Sequence, residues 1–197
     1  MRICIFGAGA IGGMIGSLLK NNGIDVCLIA RGNHYTEIKK NGLVFKSKEY
    51  DLDICQRFDV HQDITNIGKF DLLINGLKAH SANQTAEYVS QLLHKSSIIL
   101  PTLNGIPWWF FYKFEGKYNN YKLQSVDPDQ LQWRHFNPSR VIGSVVYPAA
   151  IIKKPGIIEH IEGKRLILGE PDNYKSDRVE KLSKLFFSSG IKSPISK

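Results

Sequence analysis

The feature that most limits what this chain can fold into lies at its amino terminus, in Gly7-Ala8-Gly9-Ala10-Ile11-Gly12. These residues follow an apolar run over 2–6 that reads as a strand. They open a segment in which Ile11, Met14, Ile15, Leu18 and Leu19 recur at spacings of three and four, the period of an amphipathic helix. Asn21-Asn22-Gly23 supplies the stop for that helix, and residues 26–30 form a second apolar strand. Strand, glycine turn, helix and strand within about 30 residues make a βαβ unit. The glycine spacing alone is weak, but between a strand and a helix it becomes the dinucleotide-binding fingerprint. Its glycines permit a tight turn, let backbone approach a pyrophosphate, and allow close packing of helix on strand. The helix start then offers free N–H groups and partial positive charge to the phosphates. A glycine turn with a purely structural role is the competing reading.

The alternation continues downstream. Residues 34–40 read as a helix, 43–46 and 52–55 as short strands spaced like a hairpin, and 71–75 as a buried strand. Residues 82–93 read as an amphipathic helix with Ser81 near its cap, and 97–102 as another strand. Such alternation predicts an α/β fold of the Rossmann type, doubly wound, with a mainly parallel sheet covered on both faces. Past Asn104-Gly105 comes an aromatic block, Trp108-Trp109-Phe110-Phe111-Tyr112, expected to be buried against the sheet or a second domain. A polar excursion follows over 113–140, long enough to be a functional excursion or a poorly ordered loop. Residues 141–150, 157–161 and 165–169 read as strands. A helix over 177–187 carries Val179, Leu182, Leu185 and Phe186 on one face.

Composition narrows the function classes. Hydrophobic residues are 43% of the 197 and charged residues 22%, ordinary material for a packed core. No apolar run reaches the roughly 18 residues of a membrane helix; the nearest, 141–152, is interrupted by Gly143, Ser144 and Pro148. The amino terminus turns to glycine too soon for a signal peptide, so a cytoplasmic protein with no membrane partner is expected. Cys4, Cys27 and Cys55 are odd in number and form no C-x-x-C, which predicts buried free thiols. Twenty-six Lys and Arg against 18 Asp and Glu give +8, yet the basic residues form only scattered pairs such as Lys39-Lys40. No nucleic-acid fold signature accompanies them, so no nucleic-acid partner is expected; the field would still draw in a phosphorylated cofactor. The six histidines show no metal-ligand spacing, so no metal is expected. No G-x-S-x-G nucleophile motif is present.

An NAD site places Asp or Glu about 20 residues beyond the glycines, at the end of the second strand. Here that strand ends Leu28-Ile29-Ala30-Arg31-Gly32, and Asp25 lies at its opposite end. Arg31 stands where a guanidinium could clamp a 2′-phosphate, which favours NADPH; an ordinary surface arginine is the alternative. Ligands of open α/β sheets lie beyond the carboxyl ends of the strands. Lys78 and Asn104 are delivered there. A lysine could stabilise charge on a polarised carbonyl, and an asparagine could orient a substrate oxygen.

The residues together resemble the ketopantoate reductase (2-dehydropantoate 2-reductase) family. The resemblance rests on Gly7-Ala8-Gly9-Ala10-Ile11-Gly12-Gly13, Ala30-Arg31-Gly32, Leu77-Lys78-Ala79 and Leu103-Asn104-Gly105-Ile106-Pro107-Trp108-Trp109. Ser125-Val126-Asp127-Pro128, Val141-Ile142-Gly143 and His160-Ile161-Glu162-Gly163 extend it in the same order. It implies NADPH-dependent reduction of 2-dehydropantoate to pantoate, a precursor of pantothenate and coenzyme A. It implies cofactor binding by Gly7, Ala8, Gly9, Ala10, Ile11, Gly12 and Arg31, with Lys78 and Asn104 facing the nicotinamide and the 2-keto acid substrate. The family's general acid is a lysine of a carboxy-terminal helical domain, which is expected to be absent from this chain. The implied division is a cofactor-binding domain over 1–187 and a linker over 188–197. On that basis the chain alone is expected to be inactive and to self-associate through surface the missing domain would cover. A related 2-keto acid as substrate, or a non-catalytic NADP(H)-sensing module acting through a partner, are the alternatives.

Overall fold

In the computed structural model, which describes residues 1–196, the βαβ unit forms as the sequence predicts. Strand β1 (Ile3–Phe6) leads through the glycine loop into helix α1 (Ala10–Asn21) and on to β2 (Val26–Ile29). Helix α2 (Gly32–Asn41) and a hairpin of β3 (Leu43–Ser47) and β4 (Leu52–Gln56) follow, then β5 (Asp59–His61) and β6 (Phe70–Asn75). Helices α3 (Ala79–Gln84) and α4 (Ala86–Ser90) precede β7 (Leu93–Pro101). Strands β1, β2, β5, β6 and β7 make an all-parallel sheet in the order β5-β2-β1-β6-β7.

The helix expected over 82–93 is instead two short helices. Thr85 sits at φ −101° and ψ 1° between them. Its hydroxyl donates to the Ser81 carbonyl at 2.8 Å, competing with the backbone ladder. Ser81 lies within α3 rather than capping it; Lys78 holds the cap position. The strand expected over 141–150 is also divided, into β8 (Gly143–Val146) and β9 (Ala149–Lys154). Pro148 stands at the break, where a missing N–H cannot extend a ladder. The chain changes sheets there: β8 pairs antiparallel with β11 (Leu166–Gly169), while β9 pairs with β10 (Ile157–Glu162).

The second sheet runs β4-β3-β10-β9, with β3 and β10 parallel although they are far apart in sequence. Helix α1 lies between the two sheets. Met14, Ile15, Leu18 and Leu19 share one apolar cluster with Ile5 and Leu28 of the first sheet and with Phe45 and Ile158 of the second. The opposite face of the parallel sheet is covered by Ala86, Val89, Trp108, Trp109 and Phe136. The aromatic block is thus buried at its two tryptophans, whereas Phe110 is 49% exposed.

Within the polar excursion, helix α5 (Leu131–Phe136) is capped by a buried carboxylate. Asp127 accepts N–H bonds from Gln132 and Trp133 at 2.9 Å and from the Asn83 amide at 2.6 Å, fixing the excursion to α3. Helix α6 (Asp177–Ser188) is capped by Ser176 and buries Val179, Leu182 and Phe186; Leu185 is only partly buried. The chain then runs beside β11, with Lys192 bridged to Arg165 and Ile195 to Leu168. Lys197, the last residue of the expected linker, lies outside the described residues. Of the cysteines, Cys4 and Cys27 are buried, but Cys55 is exposed: it points outward from β4 and donates to the Asn41 carbonyl.

Candidate functional site

Beyond the carboxyl ends of β1, β2 and β6 opens a cleft of about 510 Å³. Its floor is the glycine loop. Gly7 and Ala8 both donate to the Ile29 carbonyl, at 3.1 and 2.8 Å, so the loop is tied to the end of β2. Gly7 has φ +95°, which a side chain would strain. A Cβ on Gly9 would meet nothing within 4 Å, so the loop presents open space there. A Cβ on Gly12 would stand 2.3 Å from the Gly7 carbonyl oxygen and 2.9 Å from Ile5, which is the close helix–strand packing the fingerprint demands.

The start of α1 is chemically bare. No side chain caps it and no acidic residue lies in its first turn. The first helical bond runs from the Gly13 N–H to Gly9, leaving the N–H groups of Ala10, Ile11 and Gly12 without an intrahelical acceptor. Such an end favours an anion. Arg31 and Lys78 flank the same cleft, both exposed, and neither side chain has a partner among the described residues. No Asp or Glu lines it.

The cleft therefore gathers Gly7, Ala8, Gly9, Arg31 and Lys78 from the residues singled out in the sequence. Ala10, Ile11 and Gly12 lie behind it in the first turn of α1. Asn104 is not on its wall: the Asn104 amide donates to the Val146 carbonyl at 2.8 Å and accepts the Val146 N–H at 2.9 Å. Both ends of that amide are engaged in fixing the loop after β7 to β8.

Three further residues shape the cleft. Gly76 follows β6, and a Cβ there would lie 2.5 Å from the Gly7 carbonyl oxygen. A glycine directly after a buried strand was the available signal. His34 is half-buried in the cleft wall; its Nε2–H donates to the Ala8 carbonyl at 2.9 Å, and its Nδ1 accepts the Gly156 N–H at 3.0 Å. It ties the glycine loop to the β9–β10 turn. Burial holds the imidazole below its ordinary value, against the opposing pull of the Ala8 carbonyl. Ile152 closes the wall from β9. No local spacing announces either residue: His34 enters from the first turn of α2 and is recognised only by its bond to the remote Gly156, and Ile152 comes from the second sheet.

A twisted parallel sheet, a glycine loop opening a helix, and a ligand cleft at the carboxyl edge define the Rossmann-type class of α/β domains. The family profile described as ketopantoate reductase PanE/ApbA matches residues 3–108. The chain belongs to that family of oxidoreductases. A 2-dehydropantoate 2-reductase of Mesorhizobium japonicum is 37% identical over 197 residues, covering 99% of this chain and 60% of that protein. The crystal structure of a putative ketopantoate reductase from Ralstonia solanacearum superposes with a TM-score of 0.92 at 31% identity, covering 99% of this chain and 60% of the other. A 2-dehydropantoate 2-reductase from Geobacter metallireducens gives 0.80 at 28% identity, covering 100% and 58%. The chain thus spans about 60% of the length of such relatives. Among the described residues no helix is long and apolar enough to cross a membrane.

Proposed function

We propose that this chain is the NADPH-binding part of a reductase that converts 2-dehydropantoate to pantoate, with residues 1–187 as the cofactor domain and 188–197 as a linker. The observation that carries the reading is the cleft's charge: a bare helix start, Arg31 and Lys78 converge on it, and no carboxylate lines it. NADPH is the fitting polyanion, and when bound it supplies the hydride for the keto carbon. The N–H groups of the first turn of α1 would hold the pyrophosphate, and the Arg31 guanidinium would hold the 2′-phosphate. The Lys78 ammonium stabilises negative charge gathering on the substrate oxygen. Asn104 acts on the substrate side through the loop it fixes against Val146. A related 2-keto acid fits the same cofactor chemistry. The engaged Asn104 amide favours a second reading, in which this chain binds NADP(H) and acts through a partner.

Calorimetric titration with NADPH and NADH tests this. Wild type is expected to prefer NADPH, and Arg31→Ala to erase the preference by weakening NADPH binding about 10- to 100-fold while sparing NADH. Equal affinity for the two cofactors in wild type would remove Arg31 from its assigned role.

A further inference from the structure

Cys27 and His61 show no metal-ligand spacing in sequence, yet the fold places them together on the edge of the parallel sheet. Asp59 and His61 are two apart on β5, so both side chains leave the same face. The parallel register sets Cys27 beside Asp59 and Ile29 beside His61. Candidate ligand atoms of Cys27, Asp59 and His61 all lie within 4.8 Å of one another. His61 Nε2 and the Asp59 carboxylate are already 2.7 Å apart. Tetrahedral zinc, with bonds of about 2.0–2.3 Å, needs its ligand atoms roughly 3.3–3.7 Å apart, within reach of small side-chain rotations. We propose that Cys27, Asp59 and His61 form a divalent-metal site of the zinc class that clips the edge strand β5 to β2.

The donor set is chemically selective. One sulfur, one imidazole nitrogen and one carboxylate oxygen suit Zn²⁺ and disfavour Mg²⁺ and Ca²⁺, which take oxygen ligands. The burial gradient suits entry from solvent: Cys27 is buried, His61 intermediate and Asp59 exposed, leaving the outer side open for a water as fourth ligand. Coordination forms the Zn–S bond as the Cys27 thiol releases its proton to solvent, with no change of oxidation state. Behind Cys27 stands Cys4. The parallel register of β1 and β2 pairs it with Cys27 and sets the two buried thiols side by side. The three-residue edge strand gains a cross-link that its short ladder lacks, and the site adjoins the cleft through the Ala30 N–H bond to the His61 carbonyl at 3.0 Å.

Cobalt titration of the full chain tests the assignment, because a thiolate ligand gives a near-ultraviolet charge-transfer band. One Co²⁺ per chain with such a band, displaced by Zn²⁺, is expected. Cys27→Ser should abolish the band, and Cys55→Ser should leave it intact. His61→Gln and Asp59→Asn, both at accessible positions, should weaken Co²⁺ binding at least about tenfold while retaining the wild-type circular dichroism. Zn²⁺ should raise the melting temperature of wild type and not of His61→Gln. Absence of the band in wild type, or loss of it in Cys55→Ser, would overturn the proposal. Should Cys27→Ser fail to fold, undiminished Co²⁺ affinity in His61→Gln would overturn it equally well.

Discussion

Strands β6 and β9 are both six residues long, and they meet water in opposite ways. Five residues of β6 are buried, because the parallel sheet has α1 on one face and the α3–α5 layer with Trp108 on the other. No residue of β9 is buried, and Ile151 and Ile152 are more than 40% exposed, because the second sheet has α1 on one face only. In neighbouring β10 the alternation is visible: Ile158 and His160 point inward, while Ile157 and Glu159 are only partly covered. An apolar run therefore has two meanings in this molecule. In the first sheet it marks two-sided burial; in the second it marks an apolar surface.

The largest expected effect falls on the two-sided sheet. Gly12→Val sets a branched side chain against the Gly7 carbonyl and Ile5, and neither can retreat without opening the loop. A stability loss of about 3 kcal/mol in urea unfolding is expected, together with loss of NADPH binding. A variant that unfolds like wild type would show that this packing is dispensable.

The contrast within the second sheet can be measured directly. Ile158 is 0% exposed and Ile151 48%. Ile158→Ala should cost about 2–5 kcal/mol, and Ile151→Ala no more than about 0.5 kcal/mol. Equal costs would mean that something covers β9 in solution.

A smaller effect joins the two regions through His34. Its folded value is lowered below the ordinary 6.5, so the unfolded chain takes up the proton first as pH falls. The stability contributed by the neutral ring is complete above pH 6.5 and is lost as pH falls through the lower folded value. Protonation also turns Nδ1 from an acceptor into a donor facing the Gly156 N–H. Wild type should weaken across this window more than His34→Gln, as read by urea midpoints against pH; parallel curves would assign the pH dependence to other groups.

The smallest effect concerns association. Val145, Tyr147, Ile151, Ile152 and Ile161 are all exposed apolar side chains on β8–β10. Concentration-dependent self-association is expected by light scattering, and Ile151→Ser with Ile161→Ser should reduce it. A monomer at all concentrations in wild type would separate exposed apolar area from stickiness in this chain.

Much of the parallel-sheet half was legible because its signals are local. The glycine loop, the period of α1 and the stop at Asn22-Gly23 lie within one stretch of chain, and the hairpin of β3 and β4 needed only its short connection. The misreadings occur where a local pattern met a competing bond. Thr85 breaks a helix whose apolar spacing is correct, and Pro148 sends one apolar run into two sheets. Cys55 reads as buried by its apolar neighbours and is exposed because β4 is an edge strand. The site divides along the same line: Arg31 and Lys78 follow from strand ends, whereas the partner of the Asn104 amide lies 42 residues away.

By itself, the sequence determined the βαβ start, the parallel alternation and the basic residue at the end of β2, since backbone conformation and side-chain period are set over a few neighbouring residues. Tertiary structure alone decided the parallel pairing of β3 with β10, the seat of Gly76 against Gly7, the span of His34 from Ala8 to Gly156, and the meeting of Cys27 with His61. Each of these depends on the separation of atoms from remote segments, and that separation is fixed only when α1 is packed between two sheets.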